Sequence, residues 1–236
     1  MEATVAATRG ARQRFCLLLV KPSHYDDNGY VIQWMRSPIP SNSLASLFGL
    51  AKDCAERKIL GEDVDIEIHA FDETNSRIRP DRLAAMIEAA GSGMVMLTGV
   101  QSNQFPRALD LARPLRARGI QLGIGGFHVS GVLAMLNGVD ADLDRAKAMG
   151  VSLFAGEAEG RLEETLRDAY AGTLKPLYNY MDDLPGIEGT PIPLMAVERA
   201  QRTAGGTTSF DAGRGCPYQC SFCTIINVQG RKSRRR

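Results

Sequence analysis

Apolar positions follow two alternating rhythms along this chain. Residues 14–20 (Arg-Phe-Cys-Leu-Leu-Leu-Val) are almost continuously apolar and stop at Lys21-Pro22, the pattern of a strand covered on both faces. From Ser43 onward Leu44, Leu47, Phe48, Ala51, Cys54 and Ala55 fall at helical spacing, and Gly61 is placed to close that helix. Val64, Ile66 and Ile68 alternate with Asp65 and Glu67, which predicts a strand with one polar side. Pro80-Asp81 opens a helix carrying Leu83, Met86, Ile87 and Ala90, and Gly91 closes it.

The cycle continues. Met94 to Leu97 predicts a strand, Pro106 to Gly119 a helix, and Ile120 to Ile124 a strand. Ser130 suits the N-cap of the next helix, which breaks near Asn137-Gly138 and resumes over 141–149. Val151 to Ala155 is the fifth strand and Arg161 to Ala171 the fifth helix. Strands and helices alternating with short loops predict an α/β fold: a doubly wound, five-stranded parallel sheet, Rossmann-like, with right-handed crossovers. Ligands bind such a sheet at its carboxyl edge. Glycine and polar residues follow the first, fourth and fifth strands there, as Ser23-His24, Gly125-Gly126-Phe127-His128 and Gly156-Glu157.

The expected organisation is a disordered lead-in over 1–13, the sheet domain over 14–171, a linker over 172–206 and a second unit from 207. Pro176, Pro185, Pro191, Pro193 and Gly205-Gly206 mark the linker. Thr207 to Phe210 is an extended run, read as a strand.

Composition narrows the function classes. A hydrophobic share of 44% and a charged share of 23% in 236 residues are ordinary for a globular protein. The net charge of +1 supplies no field for nucleic acid, and no apolar run reaches the ~20 residues of a membrane helix. Met1 to Arg14 has no apolar core of the secretory type. Cys16 and Cys54 sit in apolar patterns and read as small core residues; reduced cysteines point to the cytoplasm.

Three of the five cysteines gather at Gly213-Arg214-Gly215-Cys216-Pro217-Tyr218-Gln219-Cys220-Ser221-Phe222-Cys223, with spacing C-x3-C-x2-C. Thiolates are soft, anionic ligands, and three on one short loop can hold three irons of a [4Fe–4S] cluster while the fourth stays open. A structural zinc site normally needs a fourth ligand, often from a second cysteine pair, which is not present. A disulfide leaves an odd cysteine, and ferredoxin spacing is C-x2-C-x2-C.

This loop resembles the signature of radical SAM enzymes, in which the open iron binds S-adenosylmethionine (SAM). Phe222 matches the aromatic residue usual before the last cysteine. Together with the loop, residues 14–171 resemble the cobalamin-binding domain that precedes the radical core in cobalamin-dependent radical SAM enzymes. The resemblance rests on Gly125-Gly126-Phe127-His128, on Gly156-Glu157-Ala158-Glu159, and on a proline-bearing linker leading into Gly-Arg-Gly-Cys. It implies a cluster on Cys216, Cys220 and Cys223, with SAM and cobalamin as further cofactors. It also implies a small-molecule substrate and an electron donor such as flavodoxin or ferredoxin. Many such enzymes are methyltransferases, in which a 5′-deoxyadenosyl radical activates the substrate and methylcobalamin delivers the methyl group.

For a corrinoid, Gly125 and Gly126 allow close backbone approach, and Thr98, Gly99 and Ser102 end strand three with donors. Ser23, His24, His128, Gly156 and Glu157 complete the candidate contacts, Glu157 reading equally as a first-turn carboxylate. The cobalt-ligating pattern D-x-H-x-x-G is not met: Pro22 stands where the aspartate belongs and Asn28-Gly29 is out of register. A nicotinamide fingerprint after the first strand is also missing, since Lys21-Pro22-Ser23-His24-Tyr25-Asp26 occupies it. A radical SAM barrel takes roughly 200 residues, so its first strand and cluster loop are expected here as a truncated start. Such a piece is expected to bind cobalamin without turnover, and the basic run Arg231 to Arg236 is then sequence from within a longer chain, exposed by the cut. The rival readings are a corrinoid- or small-molecule-binding module whose cluster transfers electrons or senses, and a zinc-stabilised interaction domain.

Overall fold

The computed structural model describes residues 12–236. The lead-in expected over 1–13 lies outside the described residues as far as residue 11. Arg12 already pairs with Asp65, and Gln13 belongs to the first strand.

The chain runs β1 (Gln13–Lys21), α1 (Asn42–Glu56), β2 (Val64–Asp72), α2 (Pro80–Ala90), β3 (Gly93–Leu97) and α3 (Phe105–Ala117). It continues through β4 (Gln121–Gly125), α4 (Phe127–Met135), α5 (Ala141–Ala148), β5 (Ser152–Ala155), α6 (Leu162–Ala171) and β6 (Leu177–Asn179). The strands form one parallel sheet in the order β2-β1-β3-β4-β5-β6. Because the chain steps from β1 outward to β2 and then from β3 the other way, its winding reverses between β1 and β3, as in doubly wound folds.

The sheet thus has six strands where the sequence predicts five. β6 is only three residues long and lies in the proline-bearing linker. It pairs because the outer edge of β5 offers unpaired backbone groups and because Tyr178 is buried, its hydroxyl donating to Asp168 at 2.7 Å. The rest of the linker lies against α1: the Leu194 amide donates to the Ala45 carbonyl at 3.0 Å. Gly49 permits this approach, since a Cβ there would come within 2.2 Å of the Ile192 carbonyl oxygen.

β1 is buried from Phe15 to Val20, and its side chains alternate between two cores. Cys16, Leu18 and Val20 join Val95, Leu97, Leu122, Ile124, Leu153 and Ala155 under α2, α3, α4 and α5. Phe15, Leu17 and Leu19 join Met94 and Met96 under α1 and α6. Cys16 and Cys54 are core residues, and burial pushes both thiols up to about 11.

Several local boundaries differ from the sequence reading. α1 ends at Glu56, and Gly61 follows a separate turn. α4 begins at Phe127 with Gly126 as its N-cap, so Ser130 is inside the helix, where its hydroxyl accepts the Gly156 amide at 3.1 Å. Thr207 to Phe210 forms no strand, because no neighbouring strand meets its backbone; the pairing lies further on. There, after the one-turn helix α7 (Val197–Ala200), β7 (Gly213–Arg214) and β8 (Arg234–Arg235) make a short antiparallel ladder, with the one-turn helix α8 (Ile225–Val228) between them in the chain. The basic run is therefore half occupied: Arg234 joins the ladder and, with Arg236, reaches buried carboxylates.

Candidate functional site

A cavity of about 220 Å³ opens at the carboxyl edge of β3, β4 and β5, between α1 and α6. It exists because of side-chain size. On this face β4 presents Gly123 and β5 presents Ser152, where neighbouring β3 presents Met94 and Met96. A Cβ at Gly123 would make only ordinary contacts, 3.6 Å to Met94 Cε and 3.7 Å to the Ser152 carbonyl oxygen, so its missing side chain leaves open space.

Three buried hydroxyl residues stand among the cavity's largely apolar lining. Ser46 from α1, Thr98 after β3 and Thr165 from α6 are buried, and their hydroxyls have no hydrogen-bond partner among the described residues. An orphaned buried hydroxyl costs about 1–3 kcal/mol. Three around one space can serve a polar group placed between them, or ordered water.

Of the residues expected at the site, Thr98, Gly99, Gly125, Gly126, Gly156 and Glu157 line this cavity together. Three of these glycines have packing reasons of their own. Gly126, at φ 147, would put a Cβ within 2.2 Å of the Val100 amide nitrogen. Gly99 faces Ser43 at 2.6 Å in the same sense, and Gly156 faces the Tyr180 backbone at 3.0 Å. Ser23 and His24 do not line it. Ser23 is fully buried, with its amide bound to Glu73 at 3.1 Å and its hydroxyl donating to the Ile32 carbonyl at 2.5 Å. The His24 carbonyl accepts the Ile32 amide at 2.9 Å.

Ser102 and His128 line a second cavity, of about 520 Å³. His128 is not a loop residue but stands in the first turn of α4, against the Phe105 ring with centroids 4.2 Å apart. Burial lowers its pKa against the pull of Asp140 and Asp142. Ser46, Gly123, Ser152 and Thr165 were not singled out from the sequence. A small or hydroxyl-bearing residue inside an otherwise apolar strand or helix face is the signal that marks them.

Glu157 is not a first-turn carboxylate, because α6 starts at Leu162. It belongs instead to a buried ion network. Arg214 donates to Glu157 at 3.0 Å, to Glu159 at 2.7 Å and to Asp211 at 2.9 Å. Arg234 adds a second guanidinium on Glu157 at 2.8 Å, and Arg236 meets Asp211 at 3.1 Å. Burial opposes the charge on Arg214, yet its bonds to Glu159, Glu157 and Asp211 outweigh this and raise its pKa. Removing one partner from such a network leaves a buried charge uncompensated.

The network ties the cysteine segment to the sheet, since Arg214 lines the cavity two positions before Cys216. Gly215, at φ 86, turns the chain where a Cβ would meet the Lys232 carbonyl oxygen at 2.3 Å. The Cys216 amide donates to the Gly230 carbonyl, and the Cys223 amide closes a turn onto the Cys220 carbonyl, each at 3.1 Å. All three thiols are free, Cys220 exposed and the others half-buried; Phe222 is 89% exposed. Among the described residues the trio whose ligand atoms all lie within 4.8 Å of one another is His128, Asp140 and Asp142, not the cysteines. A single ion needs its ligands drawn that close, whereas each cysteine of a cluster binds a different iron.

These features define an α/β domain with a cavity at its sheet edge and a candidate thiolate centre beside it. A bacteriochlorophyllide d C-8(2)-methyltransferase of Chlorobaculum tepidum is 30% identical over 144 residues, covering 58% of this chain and 30% of that protein. The chain is thus similar to a methyltransferase of which it spans under a third. No protein-family model and no solved structure matches the chain. Among the described residues no helix is long and apolar enough to cross a membrane.

Proposed function

We propose that this chain carries the cobalamin-binding domain and the cluster loop of a cobalamin-dependent radical SAM methyltransferase. The observation that carries the reading is the slot at the sheet edge, where Ser46, Thr98 and Thr165 leave three buried hydroxyls unpartnered in space opened by Gly123 and Ser152. Its volume of about 220 Å³ is below that of a pocket for a drug-sized ligand. It suits one slender, polar part of a larger molecule, and the nucleotide tail of a cobalamin is such a part. Ser46, Thr98 and Thr165 would hold that tail by hydrogen bonds, and Gly123 leaves it room.

Cys216, Cys220 and Cys223 would hold a [4Fe–4S] cluster through their thiolates. Cobalamin, when bound, supplies a methyl carrier, and the cluster with SAM supplies the means to begin radical chemistry. Arg214, fixed by Glu157 and Glu159, holds the cysteine segment against the mouth of the slot, so both centres belong to one face of the molecule. The likeness to a methyltransferase favours methyl transfer among the reactions these cofactors serve. A small-molecule substrate and a flavodoxin- or ferredoxin-type electron donor complete the reading.

Anaerobic reconstitution with iron, sulfide and hydroxocobalamin tests it. After desalting, the chain is expected to retain about one corrinoid and about four irons. Iron without corrinoid removes the cobalamin assignment; zinc in place of both favours a structural metal site.

A further inference from the structure

The second cavity raises a question that the slot does not answer. His128 is 9% exposed, and its Nε2 is buried without a hydrogen-bond partner among the described residues. It faces Asp140 Oδ1 at 3.8 Å, beyond hydrogen-bond reach. Two ligands each ~2.1 Å from a common ion lie roughly 3.0–3.4 Å apart at octahedral to tetrahedral angles. A side-chain shift of a few tenths of an ångström therefore brings this pair to the spacing of two ligands on one ion.

We propose that His128, Asp140 and Asp142 form a binding site for a divalent first-row cation that accepts mixed nitrogen and oxygen ligands, such as Mn²⁺, Co²⁺ or Zn²⁺. The ligand atoms of the three lie within 4.8 Å of one another. Asp140 Oδ1 serves as the N-cap of α5, accepting the Asp142 amide at 2.8 Å and the Leu143 amide at 3.1 Å. Asp142 Oδ1 meets Arg145. The Oδ2 atoms of both carboxylates take no hydrogen bond from the described residues: Asp142 thus keeps an oxygen for a metal, and Asp140, whose Oδ1 both caps α5 and faces Nε2, can take the ion on Oδ1 or chelate it with both oxygens. The other imidazole nitrogen, Nδ1, lies 3.2 Å from Ser102 Oγ, which holds the ring in place and can accept from Nδ1–H, the tautomer that leaves Nε2 a lone pair for a metal. Two carboxylates and a neutral imidazole offer a divalent ion two negative charges, one of them shared with Arg145. Thr224, next in sequence to Cys223, lines the same cavity, so the ion would sit beside the cysteine segment without using its thiolates.

The site is tested with Mn²⁺ alone, a hard ion with little affinity for thiolates. The whole chain, stripped with chelator, is titrated while the electron-spin-resonance signal of free Mn²⁺ is followed. Saturable binding of one ion per chain is expected, unchanged when the cysteines are blocked with iodoacetamide. Asp140→Asn keeps the helix cap, because asparagine caps as well as aspartate, and Asp142→Asn alters only a half-buried side chain. Each is expected to weaken binding by about tenfold or more with circular dichroism unchanged, since each removes one charged ligand. Absence of saturable binding overturns the proposal, as does binding that survives both substitutions or that disappears on thiol blocking. The readout does not depend on corrinoid or on the cluster.

Discussion

The two faces of the sheet are made by the same strands and packed to different ends. Toward α2, α3, α4 and α5, strands β4 and β5 contribute Leu122, Ile124, Leu153 and Ala155 to a continuous core. Toward α1 and α6 the alternate positions include Gly123, Gly125, Ser152 and the half-buried Phe154, which lies against Tyr178 and Tyr180, and the core that holds Phe15, Leu17 and Met94 stops short of them. A parallel sheet buried on both faces would ordinarily carry matched apolar side chains. The departure is confined to two adjacent strands and to one edge, where three hydroxyls stand unpaired. One face serves stability and the other gives up packing for space.

That contrast can be broken by substitutions on each side. Leu18→Ala, on the sealed face, is expected to cost about 2–5 kcal/mol in urea unfolding, because the fully buried side chain leaves a void. Corrinoid retained per folded chain should not change; a loss there would mean that the faces are not independent. Gly123→Leu, on the open face, should fill the slot and lower corrinoid affinity by about a hundredfold, at the upper end of the ~1–3 kcal/mol that overpacking costs. The free chain should keep its stability, since a Cβ at 123 meets nothing closer than 3.6 Å. Unaltered affinity would remove the slot from the binding site.

Thr98→Val gives the smallest effect and the sharpest sign. Removing an unpaired buried hydroxyl should stabilise the free chain by up to about 1 kcal/mol and weaken corrinoid binding about fivefold. If stability and affinity fall together, Thr98 has a partner within the fold and is not reserved for a ligand.

Strands β1 to β5 and the helices between them were legible because periodicity and capping act within a few residues. β6 was not, since three residues carry no rhythm and Leu177–Asn179 pairs only because β5 leaves an edge beside it. Thr207 to Phe210 erred the other way: extended residues make no strand without a neighbour. The start of α4 moved from Ser130 to Phe127 because Val100, distant in sequence, accepts the His128 amide and forces glycine at 126. The ion network was invisible for the same reason, Arg214 and Arg234 reaching carboxylates 57 and 77 residues away.

The cysteine loop and the succession of elements depend on short-range spacing, and the sequence by itself determined them. The slot, the partners of its arginine and the surroundings of His128 depend on which residues meet across helices and strands. A cavity is the space left when side chains from several elements are summed, and no single stretch of chain contains that sum. Only the tertiary structure decided it.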